Sequence, residues 1–219
     1  RLGRREWIAA ARRTAELVSV GELVRARIDG RISGARPTLE DFGMLADGLV
    51  DLALATGEVR YAARARELVT AAVTDDGFAV PGGADPVLVE HGLALPGDPS
   101  EGAYPSGLSA ISRAAVRLSL LGADAILRET AERAVASIAA LALERPIAFG
   151  ATLGILSALA EPRRQLVVVT VDQADDLADV ARGWSRGLSI VVTPSQSEAF
   201  ATAGFELFES RGLSAGKPT

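Results

Sequence analysis

The sequence contains two similar stretches of helical pattern that lie 66 residues apart. Leu52–Val69 reads LALATGEVRYAARARELV, and Leu118–Val135 reads LSLLGADAILRETAERAV. In both, an apolar helix gives way to a short turn with glycine and an acidic residue, and a second helix follows. Repeated helix hairpins are typical of solenoids and α/α toroids, because each hairpin buries one face on its neighbours. The repeat therefore predicts a mainly α fold.

The start and end of the first hairpin helix are marked by residues suited to those positions. Thr38 can cap a helix that begins at residue 39, with Asp41 three positions on, and Gly57 can end it. The spacing of apolar residues predicts helices over 4–19, 39–56, 59–73, 107–121, 125–142 and 147–159.

Two segments between these helices are rich in glycine and proline, namely residues 20–37 and 75–105. Such composition indicates connections. We expect a short extended piece at residues 24–28. In the second segment, DGFAV and PVLVEHG are expected to form a short irregular hairpin.

The pattern changes after about residue 162. Residues 164–170, RQLVVVT, and 188–194, LSIVVTP, are β-branched runs typical of buried strands, and residues 172–184 between them have helical spacing. Strand, helix and strand in this order predict a parallel pair with a right-handed crossover. We therefore divide the chain into a helix-hairpin domain, residues 1–162, and a βαβ-like tail, residues 163–219.

Composition limits the function. The chain has 219 residues, of which 48% are hydrophobic, and a net charge of −5 with 5% aromatic residues, which argues against a nucleic-acid partner. The absence of cysteine excludes a disulfide and a thiol nucleophile and favours a cytoplasmic setting. No apolar run reaches the ~18 residues of a membrane span. One histidine, His91, cannot form a multi-histidine metal site, so we expect no metal and no cofactor.

Four motifs follow one another in a familiar order: LEDFGMLADGLVDLALATGEVRYAARARELV, EGAYPSGLSA, RQLVVVT and FESRGLSAGKPT. Together they resemble the C-terminal half of the thioredoxin-domain-containing proteins related to spermatogenesis-associated protein 20, over about residues 4–219. The resemblance implies an incomplete (α/α)6 toroid, similar to six-hairpin glycosidases and N-acylglucosamine 2-epimerases. It also implies a thioredoxin-like domain before Arg1. Leu108 departs from the family pattern, which has asparagine there.

In such a toroid, the long loop that ends in EGAYPSGLSA would wall the central funnel. Glu101 and Tyr104 would stand at its rim, and Ser106 would cap the next helix with the first N–H groups facing the funnel. The alternative is structural: Ser106 only caps the helix, Pro105 fixes the entry of the chain, and Tyr104 packs.

Glu40 and Asp41 open another helix, where the helix dipole is a sufficient reason for carboxylates. If Asp41 faced Glu101 across the funnel, the pair would supply the two carboxylates that glycoside hydrolysis uses. Asp41 and Glu101 are therefore the catalytic candidates. The ligand-binding candidates are Glu40, Tyr104, Ser106 and His91, although His91 also suits a plain surface loop.

Two functions remain open. The first is a sugar-processing enzyme, glycosidase- or epimerase-like, that acts through these carboxylates. The second is a non-catalytic helical module that binds a polar, saccharide-like molecule or supports the thioredoxin-like domain. Scarce aromatic residues, one histidine and Leu108 favour the second. Because the chain supplies only part of a ring, we expect the missing N-terminal part or a second copy to cover its apolar edge.

Overall fold

The computed structural model describes residues 4–19, 21–93, 99–172, 175–214 and 216–219. These residues form a mainly helical protein, as the sequence predicts, and they include three small two-stranded sheets. The helices are α1 (Arg5–Val18), α2 (Leu39–Thr56), α3 (Val59–Ala71), α4 (Pro86–Glu90), α5 (Gly107–Leu120), α6 (Ala125–Ala136), α7 (Ala139–Glu144), α8 (Gly150–Ala160), α9 (Asp176–Gly183) and α10 (Pro194–Thr202). The strands are β1 (Arg27–Ile28), β2 (Arg31–Ile32), β3 (Val73–Thr74), β4 (Gly77–Phe78), β5 (Gln165–Val169) and β6 (Leu188–Val192).

Helices α2 and α3 form the first predicted hairpin. Asp41 Oδ2 accepts a hydrogen bond from the backbone N–H of Thr38 at 2.8 Å, so α2 begins where the capping pattern indicates. Gly57 ends α2 in the left-handed conformation, with φ of 69°. The apolar face of the hairpin is buried in the core and includes Ala46, Leu49, Val50, Ala53, Ala62, Ala65, Leu68 and Val69.

Helices α5 and α6 form the second predicted hairpin, with Gly122 in the turn. The predicted end of its second helix is wrong, because α6 stops at Ala136 and α7 follows as a separate short helix. The Ser137 hydroxyl donates to the C=O of Ala134 at 2.7 Å, a local bond that competes with continuation of the helix. The apolar residues of α7 continue the helical spacing of α6, so the sequence pattern did not reveal the break between the two helices.

The first helices of the two hairpins, α2 and α5, run parallel in close contact. A Cβ atom on Gly107, at the start of α5, would lie 2.6 Å from the backbone N of Glu40 at the start of α2. A Cβ on Gly43, one turn further, would lie 2.5 Å from a backbone nitrogen of α5. Further along, Asp47 forms an ion pair with Arg113. The two glycines therefore allow the backbones to approach. Residues that come later in α2 contact residues that come later in α5, so the two helices are parallel.

This parallel arrangement gives the hairpins two distinct ends. We call the end where α2 and α5 begin the N-terminal end, and the end with the turns at Gly57 and Gly122 the turn end. Helix α8 also begins at the N-terminal end, because the hydroxyls of Ser109 in α5 and Thr152 in α8 lie 2.8 Å apart.

The tail confirms the predicted strand–helix–strand unit. Strands β5 and β6 are parallel, with Val167 paired to Ile190 and Val169 to Val192, and α9 lies between them in the chain. The tail then covers the turn end: Gln196 donates to the C=O of Thr56 at 3.0 Å. The helices and the tail share one apolar core, in which the tail residues are Val169, Leu188, Ile190, Val192, Phe200, Phe205 and Phe208.

The connections differ from the prediction in detail. The extended piece near residue 28 is a hairpin of β1 and β2. The predicted pairing of DGFAV with PVLVEHG is wrong: Gly77–Phe78 pairs back with Val73–Thr74, and Pro86–Glu90 is helical. Asp85 accepts a hydrogen bond from the N–H of Val87, and Pro86 stands at the first helical position, where its missing N–H is not needed. The cap and the proline therefore favour a helix here, although valine by itself favours an extended strand.

Candidate functional site

Glu101 lies at the centre of a hydrogen-bond network at the N-terminal end. Its Oε1 accepts from Ser109 Oγ at 2.5 Å and from both the N–H and the hydroxyl of Thr152 at 3.0 Å. Its Oε2 accepts from the N–H of Ala151 at 2.6 Å. The backbone N–H of Glu101 donates to the C=O of Ala148 at 2.7 Å. The side chain is therefore used by the protein itself.

The network makes Glu101 a helix cap supplied from a distant part of the chain. Ala151 and Thr152 lie in the first turn of α8, where backbone N–H groups have no acceptor within the helix. Phe149, at the position before α8, makes no side-chain cap. A carboxylate at a helix N-terminus is also stabilised by the helix dipole. Glu101 thus satisfies α8 and joins it to α5 through Ser109.

Ser106 caps the neighbouring helix α5. Its Oγ accepts from the N–H of Ser109 at 3.2 Å and donates to Ser109 Oγ at 3.3 Å. Since Ser109 also donates to Glu101, the structure brings together two of the predicted residues, Ser106 and Glu101, through one buried hydroxyl.

Asp41 belongs to a separate group at the start of α2. Its Oδ2 accepts from the N–H of Thr38 at 2.8 Å, from the Thr38 hydroxyl at 3.0 Å and from Arg25 Nη1 at 2.8 Å. Glu40 is exposed, and its backbone lies against Gly107. The first turns of α2 and α5 are therefore in contact, but Asp41 and Glu101 each have their own set of partners. That the two face each other across a funnel stays a prediction.

The other two predicted residues lie outside this network. Tyr104 is 69% exposed, so the predicted packing role is not seen. His91 is exposed and follows the short helix α4. Three shallow cavities of about 340–470 Å³ are lined by residues other than the six candidates. They lie at the β1–β2 hairpin, beside β5, and between α1, α2 and α10.

A charged cluster between α2 and α5 was missed by the sequence analysis. Asp47, only 4% exposed, pairs with Arg113 and with Arg117, whose Nη1 lies 2.6 Å from Asp47 Oδ1. Arg117 also pairs with the exposed Asp51. Burial by itself would lower the pKa of Arg117, but the attraction of Asp51 and Asp47 outweighs it and raises the pKa above its ordinary value. The three ion pairs of this cluster join α2 to α5.

The signal for this cluster was present in the repeat. Asp47 and Arg113 are 66 residues apart, as are Asp51 and Arg117, which is also the spacing of the repeated hairpins. Equivalent positions on two parallel neighbouring helices thus carry opposite charges. The missed hydroxyls, Ser109 and Thr152, had no such signal.

Comparison with known proteins does not assign the chain to a family. No family model matches the chain, and no curated protein matches it significantly. Among the described residues, no helix has the length and apolar character needed to span a bilayer. The same residues contain no group of three or more histidine, cysteine, aspartate or glutamate side chains suited to a metal ion.

Proposed function

We propose that the chain is a helix-hairpin module, part of an incomplete (α/α)6 toroid, that binds a polar, saccharide-like molecule at its N-terminal end and has no catalytic activity alone. The toroid proposal is supported by the parallel packing of α2 and α5, because equivalent helices of successive hairpins lie side by side in such rings. The family resemblance supports it as well, and with it a role beside a thioredoxin-like domain in the cytoplasm.

One observation carries the binding proposal. The first turns of α2, α5 and α8 are gathered at one end, with carboxylates and hydroxyls of Asp41, Glu101, Ser106, Ser109 and Thr152 among them. Convergent polar groups at one end of an apolar scaffold are the usual composition of a small-molecule site. The long connection before α5 ends at this place.

The same contacts argue against catalysis. A glycosidase needs one carboxyl group to donate a proton and another to attack or activate water. Asp41 and Glu101 are both occupied as acceptors for helix N–H groups and hydroxyls. We therefore assign them to positioning the end of the hairpins, and the sugar-processing enzyme is the weaker candidate.

Helix α8 supports a further part of the proposal, that its outer side is covered in the working protein. Its sequence, GATLGILSALA, has no charged residue, yet only Thr152 and Ile155 are buried. A helix that is apolar all round normally has neighbours on all sides. We propose that the N-terminal domain or a second copy covers it. A light-scattering mass that equals one chain at all concentrations would count against a second copy.

Saccharide binding tests the ligand proposal. We would titrate a panel of mono- and oligosaccharides by calorimetry into the wild type, Asp41→Asn, Glu101→Gln and Ser106→Ala. Binding should be seen for the wild type and weaken at least tenfold in one or more variants, while Glu129→Gln, an exposed residue of α6, should bind normally. No heat with any sugar at millimolar concentration would overturn the saccharide proposal. Equal binding by all variants would move the site elsewhere.

A further inference from the structure

We propose that residues 99–105 form a strap across the N-terminal end, that Glu101 is the clasp that holds it shut, and that the strap opens without unfolding of the helices beneath it. The proposal concerns local opening and does not depend on the ligand proposed above.

The strap is fixed at Glu101 and exposed beside it. Gly102, Ala103 and Tyr104 are all exposed, and a Cβ on Gly102 would meet no atom within 4 Å. Glu101, in contrast, is half-buried and makes a backbone bond to Ala148 in addition to its four side-chain bonds. Release of this one side chain therefore removes four hydrogen bonds between the segment and the helices α5 and α8.

The groups beneath the clasp remain largely satisfied when it opens. The hydroxyls of Ser109 and Thr152 lie 2.8 Å apart and can bond to each other once they no longer donate to Glu101, and Ser106 keeps its bond to Ser109. The N–H groups of Ala151 and Thr152 become free to bind water. Because an unsatisfied buried polar group is what makes opening costly, an opening that leaves hydrated groups is favoured over global unfolding.

The helices do not depend on the strap for their packing. In α5, Ile111, Ala114 and Ala115 are fully buried in the common core. Closed, the clasp occupies two hydroxyls and two backbone N–H groups; open, it leaves three donors at the N-terminal end, because one hydroxyl then donates to the other. Access to this end is thus set by one carboxylate.

Native-state hydrogen exchange tests the clasp directly. Ala151 and Thr152 lie in the first turn of α8, so their amides have no acceptor in the helix and their protection reports Glu101. In Glu101→Ala, amide exchange at 101, 151 and 152 should rise at least tenfold, while Val50 and Ala115 stay unchanged. Glu101→Gln should show the same change more weakly, because one side-chain oxygen is replaced by a donor. Tyr104→Ala is the matched control and should change none of these rates.

Two results would overturn the proposal. One is an equal rise in exchange at all of these amides, with a lower denaturation midpoint, since Glu101 would then only cap a helix within one cooperative unit. The other is no change at 151 and 152. If Glu101→Ala does not fold, the wild type decides. Its amides at 101, 151 and 152 should exchange at a rate nearly independent of low urea, whereas Ala115 should follow global unfolding; the same urea dependence for all would contradict local opening.

Discussion

At the turn end of the hairpins, three phenylalanines of the tail pack together with less than 2% exposure, whereas at the N-terminal end a carboxylate and three hydroxyls form the contacts. Phe200 stacks on Phe208 with ring centroids 4.3 Å apart and meets Phe205 edge-on at 5.4 Å. At the other end Glu101, Ser106, Ser109 and Thr152 are joined by directed hydrogen bonds of 2.5–3.2 Å.

The difference separates the residues that stabilise the fold from those that could respond to a ligand. Apolar burial is non-directional and contributes most of the folding free energy, so the turn end should behave as part of the core. Hydrogen bonds contribute less in net terms because water competes for the same groups. The N-terminal end should therefore tolerate substitution and open locally. Four substitutions test this comparison, in order of decreasing effect.

The largest effect is expected at the turn end. Phe200→Ala removes a ring at the centre of the aromatic cluster and should lower the free energy of unfolding by about 3–5 kcal/mol, the range for Phe→Ala in a packed core. Urea unfolding followed by circular dichroism measures it. Leu143→Ala is the control, because Leu143 is 71% exposed and should change stability by less than about 0.5 kcal/mol. A loss below ~1 kcal/mol for Phe200→Ala would mean that the tail is loosely attached.

The next effect tests the contact between a hairpin turn and the tail. Gly122 has φ of 82°, and a Cβ there would lie 2.8 Å from the backbone N of Glu206. Gly122→Ala should cost about 3 kcal/mol, from left-handed strain of roughly 1–2 kcal/mol plus the collision. Gly83→Ala isolates the strain, since Gly83 has φ of 78° and open space around it. Equal losses for the two variants would show that the tail moves away from the turn without cost.

The third effect tests the ion pairs that join the hairpins. Asp47→Ala leaves Arg117 without its buried partner and should cost about 2–3 kcal/mol, at or below the ~3–5 kcal/mol of a fully buried pair, because Arg113 can turn to water. Asp51→Ala on the same helix should cost less than ~1 kcal/mol, since Asp51 is 70% exposed. Chemical denaturation of the two variants and of Arg117→Ala would show whether the loss depends on burial. Similar losses at Asp47 and Asp51 would contradict this.

The ion pairs also show which features of the structure can be predicted from the sequence. The helical spacing and the turn glycines predicted both hairpins, and the β-branched runs predicted the parallel strands, because these patterns reflect local geometry. The 66-residue spacing could have revealed Asp47 opposite Arg113, since repeats that stack place equivalent positions together. The pattern could not show that Glu101 caps α8, because the two are 50 residues apart and the bond depends on how the hairpins pack.

For the candidate site, the sequence brought Glu101 and Ser106 together correctly but did not settle the bonding partners of Asp41. Glu101 and Ser106 were placed together because they share one motif, and they are linked through Ser109. Asp41 was assigned to the same place because a toroid was expected. In the structure it bonds to Thr38 and Arg25. The sequence spacing alone could not decide between these partners and a partner across a funnel.

The smallest effect is expected for Ser106→Ala at the N-terminal end. The change removes the α5 cap, an acceptor for the N–H of Ser109, and should lower the free energy of unfolding by about 0.5–2 kcal/mol. Ser106→Asn, which keeps a capping oxygen, should recover most of that loss if capping is the whole role. In that case the two variants should differ in thermal midpoint, and both should bind saccharide as tightly as the wild type does. If Ser106→Asn restored stability but not sugar binding, Ser106 would be a ligand contact as well as a cap. The hydroxyls of the N-terminal end would then bind the sugar in addition to holding the helices.

A stability loss for Ser106→Ala as large as that of Phe200→Ala would instead remove the contrast between the two ends, because a directed polar contact would then stabilise the fold as much as the aromatic core.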